Sequence, residues 1–285
     1  MGWIACNNVI SDLYAMGVSR IDNVLMLLST STKFTTKQED AVLPQIMSGF
    51  RDCCFAAGTQ VRGGQTTRNP WVLLGGCATS VLSKDNFVLP NGAKPGDLLI
   101  LTKPLGTQIA VNLNQWLDDE DTDKLKPTGM NDEDVRKGYD AATVSMMTLN
   151  RKASSLMRKY KAHAATDVTG FGILGHAQNL VECQEEELDF IIEKLPILNK
   201  IAKADDGMGR MFQLVKGYSA ETSGGLLLAI DPNEADKYVA ELKAANGHDI
   251  WIIGKVTSGS RKATIIPEVK IIDVALDENE KIISL

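Results

Sequence analysis

The apolar residues of this 285-residue chain come in short runs of about five, such as Val24 to Leu28 and Leu226 to Ile230. A membrane helix needs about 20 in succession, so that class of fold is excluded. A run of this length suits a strand buried on both faces. Between such runs the apolar residues recur at helical spacing, as Ile4, Ile10 and Leu13 do near the start. The alternation of the two patterns predicts a chain of mixed α/β type, and its length predicts two domains. The net charge of −6 gives no general attraction to nucleic acid or to an anionic membrane. Five scattered cysteines without a C-x-x-C pattern, and no signal peptide, suit a reducing cytoplasm.

Read along its length, the chain opens in a helix over 3–16, continues as a strand over 20–30, and forms a helix over 36–57 with Thr35 or Thr36 as its cap. The runs 59–66 and 70–82 read as a hairpin turning at Thr67-Arg68-Asn69. A turn over 91–97 leads to a strand at 98–102. Helices follow at 107–117, 131–148, 150–160, 170–183, 197–203 and 232–245. Strands are expected at 162–166, 188–193, 226–230 and 250–256, with short strands at the end. The acidic stretch 118–131 reads as a surface loop, and a Gly-rich polar loop spans 205–225. The change of character near residue 90 places a boundary at about 95, giving domains 1–95 and 96–285. A chain that opens inside a packed helix looks cut, so N-terminal truncation is expected.

Several residues are candidates for chemistry. Asn8 and Asp12 are four apart and share one helix face. They are either a solvated surface pair or a polar pair aimed into a cleft, where a carboxylate beside a carboxamide suits Mg²⁺ and phosphate oxygens. Gly63-Gly64-Gln65-Thr66 is either an anion-binding nest or a strand bulge. In Thr166-Asp167-Val168-Thr169-Gly170-Phe171-Gly172, Asp167 ends a strand just before a helix. It either caps that helix, as Thr169 also could, or holds a metal that bridges phosphates. His176 reads as a hydrogen-bonded core histidine. Glu221-Thr222-Ser223-Gly224-Gly225 is an anion-facing turn or a tight entry into the sheet. Lys103 at a strand-to-helix junction either meets a phosphate or snorkels outward. Cys53-Cys54 reads as packing.

Together, Asn-Val-Ile-Ser-Asp-Leu-Tyr-Ala-Met-Gly (8–17), Gly-Gly-Gln-Thr (63–66), Leu-Thr-Lys-Pro-Leu-Gly-Thr (101–107), Ala-Thr-Asp-Val-Thr-Gly-Phe-Gly-Ile-Leu-Gly-His (165–176) and Glu-Thr-Ser-Gly-Gly-Leu-Leu (221–227) occur in one order. The chain resembles the selenophosphate synthetases, or selenide, water dikinases, of the aminoimidazole ribonucleotide synthetase-like superfamily. The resemblance runs essentially end to end. It implies an N-terminal domain whose strands form a β-barrel across a homodimer, and a C-terminal α+β domain. It implies the use of ATP, selenide and water to make selenophosphate, AMP and phosphate for selenocysteine synthesis, with proteins of that synthesis as further partners. Asp12 would touch Mg²⁺ and ATP, and Asp167 would be a second Mg²⁺ ligand. Gly63, Gly64, Gln65 and Thr66 would contact nucleotide held mainly by the other subunit, with Asn8 assisting in the cleft. The family's Gly-rich N-terminal arm, with its selenium-handling Cys or selenocysteine and a nearby Lys, is absent here. No catalytic nucleophile is therefore assigned within the chain, and the expectation is a folded but inactive protein. A catalytically silent regulatory or scaffolding paralogue, or another ATP-dependent enzyme of the superfamily, is the alternative.

Overall fold

The computed structural model describes residues 1–275. Helix α1 (Gly2–Ala15) buries Cys6, Ile10 and Tyr14 against helix α2 (Thr36–Ala56), which contributes Ile46, Phe50, Cys53 and Cys54 to the same core. Thr35 caps α2: its side chain accepts from Gln38 N, and the Gln38 side chain accepts from Thr35 N in return. The paired cysteines are packing, as expected, and are fully buried.

These helices cover one face of a three-stranded sheet built from β1 (Asn23–Ser31), β2 (Val61–Asn69) and β3 (Leu73–Thr79), in the order β2-β1-β3. The expected hairpin is therefore corrected. β2 and β3 do not pair with each other; β1 lies between them, parallel to β2 and antiparallel to β3. A parallel pair needs a crossover connection, and α2 supplies it between β1 and β2. The end of β1 pins the short link to β3: Ser31 Oγ donates to Pro70 O at 2.8 Å, and Thr32 N to Asn69 O at 2.8 Å. The turn residues announce a reversal of direction but not which strand sits in the gap.

The Val24–Leu28 run is a second correction. Val24, Met26 and Leu28 are buried under the helices, whereas Leu25 and Leu27 on the opposite face are 39% and 49% exposed. On the same face, Cys77, in register with Leu25, and Leu73, in register with Ser29, are also exposed. Within one chain this sheet is open and its second face is bare.

The second sheet contains β4 (Leu98–Leu101), β5 (Ala164–Asp167), β6 (Leu188–Leu198), β7 (Leu226–Ile230), β8 (Trp251–Ser258) and β9 (Lys262–Val274), in the order β5-β7-β4-β8-β6-β9. Its central strands are buried on both faces. Leu99, Leu101, Leu227 and Ala229 enter one core with residues of α3 (Thr107–Asp118), α5 (Asp132–Met147), α7 (Gly172–Glu182) and α8 (Ile201–Gly207). Ile100, Leu226, Leu228 and Ile230 enter another with residues of α6 (Arg151–Lys159) and α9 (Pro232–Asn246). For β7 the continuous apolar run means what it promised.

Two local expectations change. The stretch 118–131 is not all loop: it holds a short helix, α4 (Thr122–Leu125), whose first turn is capped by Asp121, and a 3₁₀ turn over Lys126–Thr128. The expected short closing strands are one strand of 13 residues, β9, running parallel to β6; residues 276–285 of that stretch lie outside the described residues. Among the described residues no helix is long and apolar enough to cross a membrane.

Phe50 is fully buried where α2 meets α1 and the sheet. Phe50→Ala is expected to cost about 3–5 kcal/mol of unfolding free energy, read as a lowered urea midpoint at unchanged slope.

Candidate active site

The turn-by-turn geometry of α1 gives it two faces. Cys6, Ile10 and Tyr14 enter the first core, while Asn7, Asn8, Ser11 and Asp12 point toward the second sheet. Asn7 Nδ2 donates to Met146 O at 2.8 Å and Thr148 O at 3.0 Å, at the end of α5. Ser11 Oγ donates to Asp167 Oδ2 at 2.5 Å. Asn8 Oδ1 accepts from Ser223 N at 3.2 Å. The first helix is thereby bolted to the ends of strands that lie far away in sequence.

β4 and β5 both run antiparallel to β7, so their C-terminal ends lie at the same edge of the sheet as the start of β7. Asp167, Lys103 and the turn 221–225 meet there. Asp167 is buried, and it caps no helix: α7 begins at Gly172 without a side-chain cap. Nor does Thr169 cap it, since its hydroxyl pairs with His176 Nε2 at 3.1 Å. Phe171 N also donates to that nitrogen, at 3.3 Å, so His176 is the hydrogen-bonded buried histidine expected. Burial holds its pKa down, against the pull of Asp167.

Asp12 opens to solvent, yet the walls around it desolvate its carboxyl. Burial first, and then the charge of Asp167, push its pKa above the usual carboxylate range. A carboxylate whose ionisation is made costlier by burial and by a neighbouring carboxylate marks a place where a cation is stabilising. The donors are hard oxygens, and Mg²⁺ commonly uses one or two carboxylates together with water and substrate phosphates. Asp12 and Asp167, with Asn8 beside them, fit that pattern. Among the described residues no three His, Cys, Asp or Glu side chains converge to form a self-sufficient metal cage.

Lys103 does not snorkel. It is fully enclosed, and its Nζ donates to Ser223 O at 2.8 Å. Burial pulls its pKa down to about 7, opposed by the nearby charge of Asp167. Glu221 is likewise buried, and it occupies the N-terminus of α3. Its carboxylate accepts from Gly106 N at 2.7 Å, from Thr107 N at 2.9 Å and from the Thr107 hydroxyl. The N-terminus of α3 is therefore already filled by an internal carboxyl group. Burial raises the Glu221 pKa to about 7 in spite of these bonds.

Gly63-Gly64-Gln65-Thr66 lies elsewhere. These residues sit inside β2 rather than between a strand and a turn, exposed on the edge of the first sheet. Gly64, at φ +141°, lets that strand approach β1: a Cβ there would lie 1.8 Å from Met26 O. The structure thus joins Asn8, Asp12 and Asp167, and leaves 63–66 on a separate surface of the same chain. Sequence reasoning missed Ser11, although its spacing of four from Asn7 marks a second polar stripe on α1.

The model of "AIR synthase related protein, N-terminal domain" matches residues 1–82, and that of its C-terminal domain matches residues 94–266. Selenide, water dikinase 3 of Danio rerio is 49% identical, over 96% of this chain and 64% of its own length. Selenide, water dikinase of Dictyostelium discoideum is 44% identical, over 98% of this chain and 78% of its own. This chain also covers 61% of selenide, water dikinase 2 of Mus musculus, so it spans a little under two thirds of two of these relatives. Among solved structures, hydrogenase maturation protein HypE in complex with ATP is similar at a TM-score of 0.72, with 15% identity over 99% of this chain and 81% of that one. Thiamine-monophosphate kinase of Stenotrophomonas maltophilia K279a follows at 0.71, with 18% identity over 94% and 78%. At these identities the two structures speak for the fold alone.

Glu221 makes the stability of the fold depend on pH. The folded protein holds this proton up to about pH 7, whereas the ordinary value is 4.5. Between those values the folded state binds more protons than the unfolded one, so stability falls as pH rises. In Glu221→Gln that slope should be shallower by up to about 1.4 kcal/mol per pH unit, measured by urea unfolding across the window. Equal slopes in the two proteins would contradict the assignment.

Proposed function

The chain belongs to the AIR synthase related protein family, among its selenide, water dikinases, and on that premise we propose that it serves the ATP-dependent synthesis of selenophosphate from selenide and water, with AMP and phosphate released. The observation that carries the reading is the facing of Asp12 and Asp167 across α1 and β5, in a chain 44–49% identical to proteins of that name. ATP is the substrate, and proteins of selenocysteine synthesis are the consumers of the product. The reading assigns residues 1–95 to dimerisation and ATP binding and 96–285 to the α+β unit. The five free thiols fit a reducing cytoplasm.

Asp12 and Asp167 would hold Mg²⁺. When bound, the ion neutralises phosphate charge, so that an acidic protein can hold a polyanion. Asn8 keeps a carboxamide beside Asp12, fixed by the Ser223 amide. The Ser11 hydroxyl occupies Oδ2 of Asp167, which orients the carboxylate. Asp12→Asn and Asp167→Asn are each expected to weaken Mg²⁺-dependent ATP binding at least about tenfold by calorimetry, with an unchanged circular dichroism spectrum. Selenide-dependent AMP formation should fall with it. A variant that binds ATP normally at limiting Mg²⁺ would remove that residue from the site.

The reading also includes a homodimer. β1 reads in sequence as a strand covered on both faces, and only one face is covered by its own chain; Leu25, Leu27 and Leu73 are bare on the other. A second copy of the same sheet would cover them and close the strands into a barrel. The backbone of 63–66, on the neighbouring edge strand, would then approach nucleotide held by that copy. Light scattering should give twice the mass of the chain, and Leu27→Asp should give the monomer. A wild-type monomer at micromolar concentration would sink the dimer.

A further inference from the structure

The segment 221–225 is wedged between the ends of two strands, with no room for a side chain on Gly224 or Gly225. A Cβ on Gly224 would lie 2.1 Å from Val168 O, the residue after Asp167. A Cβ on Gly225 would lie 2.5 Å from Lys103 N. Six of the segment's ten backbone N–H and C=O groups have a fixed partner. Glu221 N donates to Thr169 O at 2.9 Å, and Thr222 N to Thr107 Oγ1 at 3.2 Å. Gly224 O accepts from Asn150 Nδ2 at 2.8 Å, and Gly225 O from Val168 N at 2.9 Å. At the centre is Ser223, with φ +48°, a left-handed conformation that a residue with a Cβ rarely adopts unaided. Its carbonyl takes the Lys103 ammonium, its amide holds Asn8, and its hydroxyl donates to Ile4 O at 3.1 Å.

An enclosed ammonium is costly, and an apolar side chain of similar length would fill the space at less cost. What Met or Leu could not do is donate a hydrogen bond to the Ser223 carbonyl. We propose that Lys103 is a positioning residue: by gripping Ser223 O it holds the turn in the one conformation whose amide fixes Asn8, and so keeps Asn8 and Asp12 of α1 turned toward Asp167. The inference rests on the reading that Asp12 and Asp167 hold a divalent cation.

A role through position and a role through charge alone predict opposite signs. Removing a positive charge close to a cation site tightens cation binding by Coulomb's law. Removing a residue that orients the ligands weakens it, by about 10- to 100-fold for comparable supporting contacts. The experiment measures Mn²⁺ affinity of the whole chain by electron paramagnetic resonance, for wild type, Lys103→Met and Asp12→Asn. Hydrogen exchange of peptides covering 219–227 and 4–12 is followed in the same proteins without metal. Lys103→Met should bind Mn²⁺ about 10- to 100-fold more weakly and should exchange faster in both peptides. Equal or tighter Mn²⁺ binding, or unchanged exchange, overturns the proposal. Should wild type bind no Mn²⁺ through Asp12, the cation reading fails separately, and the exchange of the two peptides still decides whether Lys103 holds the turn. If Lys103→Met does not fold, Lys103→Gln, whose shorter donor cannot span the same gap, is judged by the same readings.

Discussion

One hydrogen bond, from Ser11 Oγ to Asp167 Oδ2 at 2.5 Å, joins residues 156 positions apart and sets the relation between the two sheets at the site. It works because α1 is apolar on one side and polar on the other. Its apolar side is fixed by burial in the first core, which leaves its polar side no freedom to turn away. Asn7, Asn8, Ser11 and Asp12 then meet the second sheet at fixed heights along the helix. Each additional bond, from Asn7 to the end of α5 and from Ser223 to Asn8, removes another degree of freedom. The buried carboxylate of Asp167 has a donor, and the solvent-facing carboxylate of Asp12 is left beside it.

The same constraint accounts for where glycine is needed. Gly224 and Gly225 sit where backbone meets backbone between β4 and β5, and Gly76 sits under α1 and α2, where a Cβ would lie 3.2 Å from Val9 and 3.4 Å from Phe50. Close approach at these points brings polar groups from separate elements within bonding distance. The cost is a seam crowded with backbone groups and two enclosed ionisable side chains, Lys103 and Glu221. Each is tied to the backbone of the other's neighbourhood: Lys103 to Ser223, and Glu221 to Gly106 and Thr107.

Much of the site was legible before the structure. Asn8 and Asp12 share a face by helical spacing, and Asp167 at a strand end before a glycine turn is a recognisable place for a carboxylate. Their meeting was not legible, because α1 and β5 are joined by no local pattern, only by packing. The enclosure of Lys103 and Glu221 was not legible for a related reason. A charged residue near a strand end is ordinarily solvated, and only the wedge of 221–225 closes over both. The hairpin expected at 59–82 failed because a turn signal reports a change of direction within one segment, and β1, some forty residues earlier, takes the central place.

The sequence by itself determined the elements whose causes are local. These are the amphipathic α1, the capped α2, the doubly buried β7 and the alternation that makes the fold mixed α/β. Periodicity, capping and apolar runs act over a few residues, so they can be read from a few residues. Tertiary structure decided the order of strands, which face of β1 is covered, and which charges are enclosed. Those outcomes depend on surfaces meeting across 100 or more positions, as Ser11 meets Asp167 and Lys103 meets Ser223. Such meetings follow from the shape of the whole core, because a side chain is buried or bare according to what else packs there.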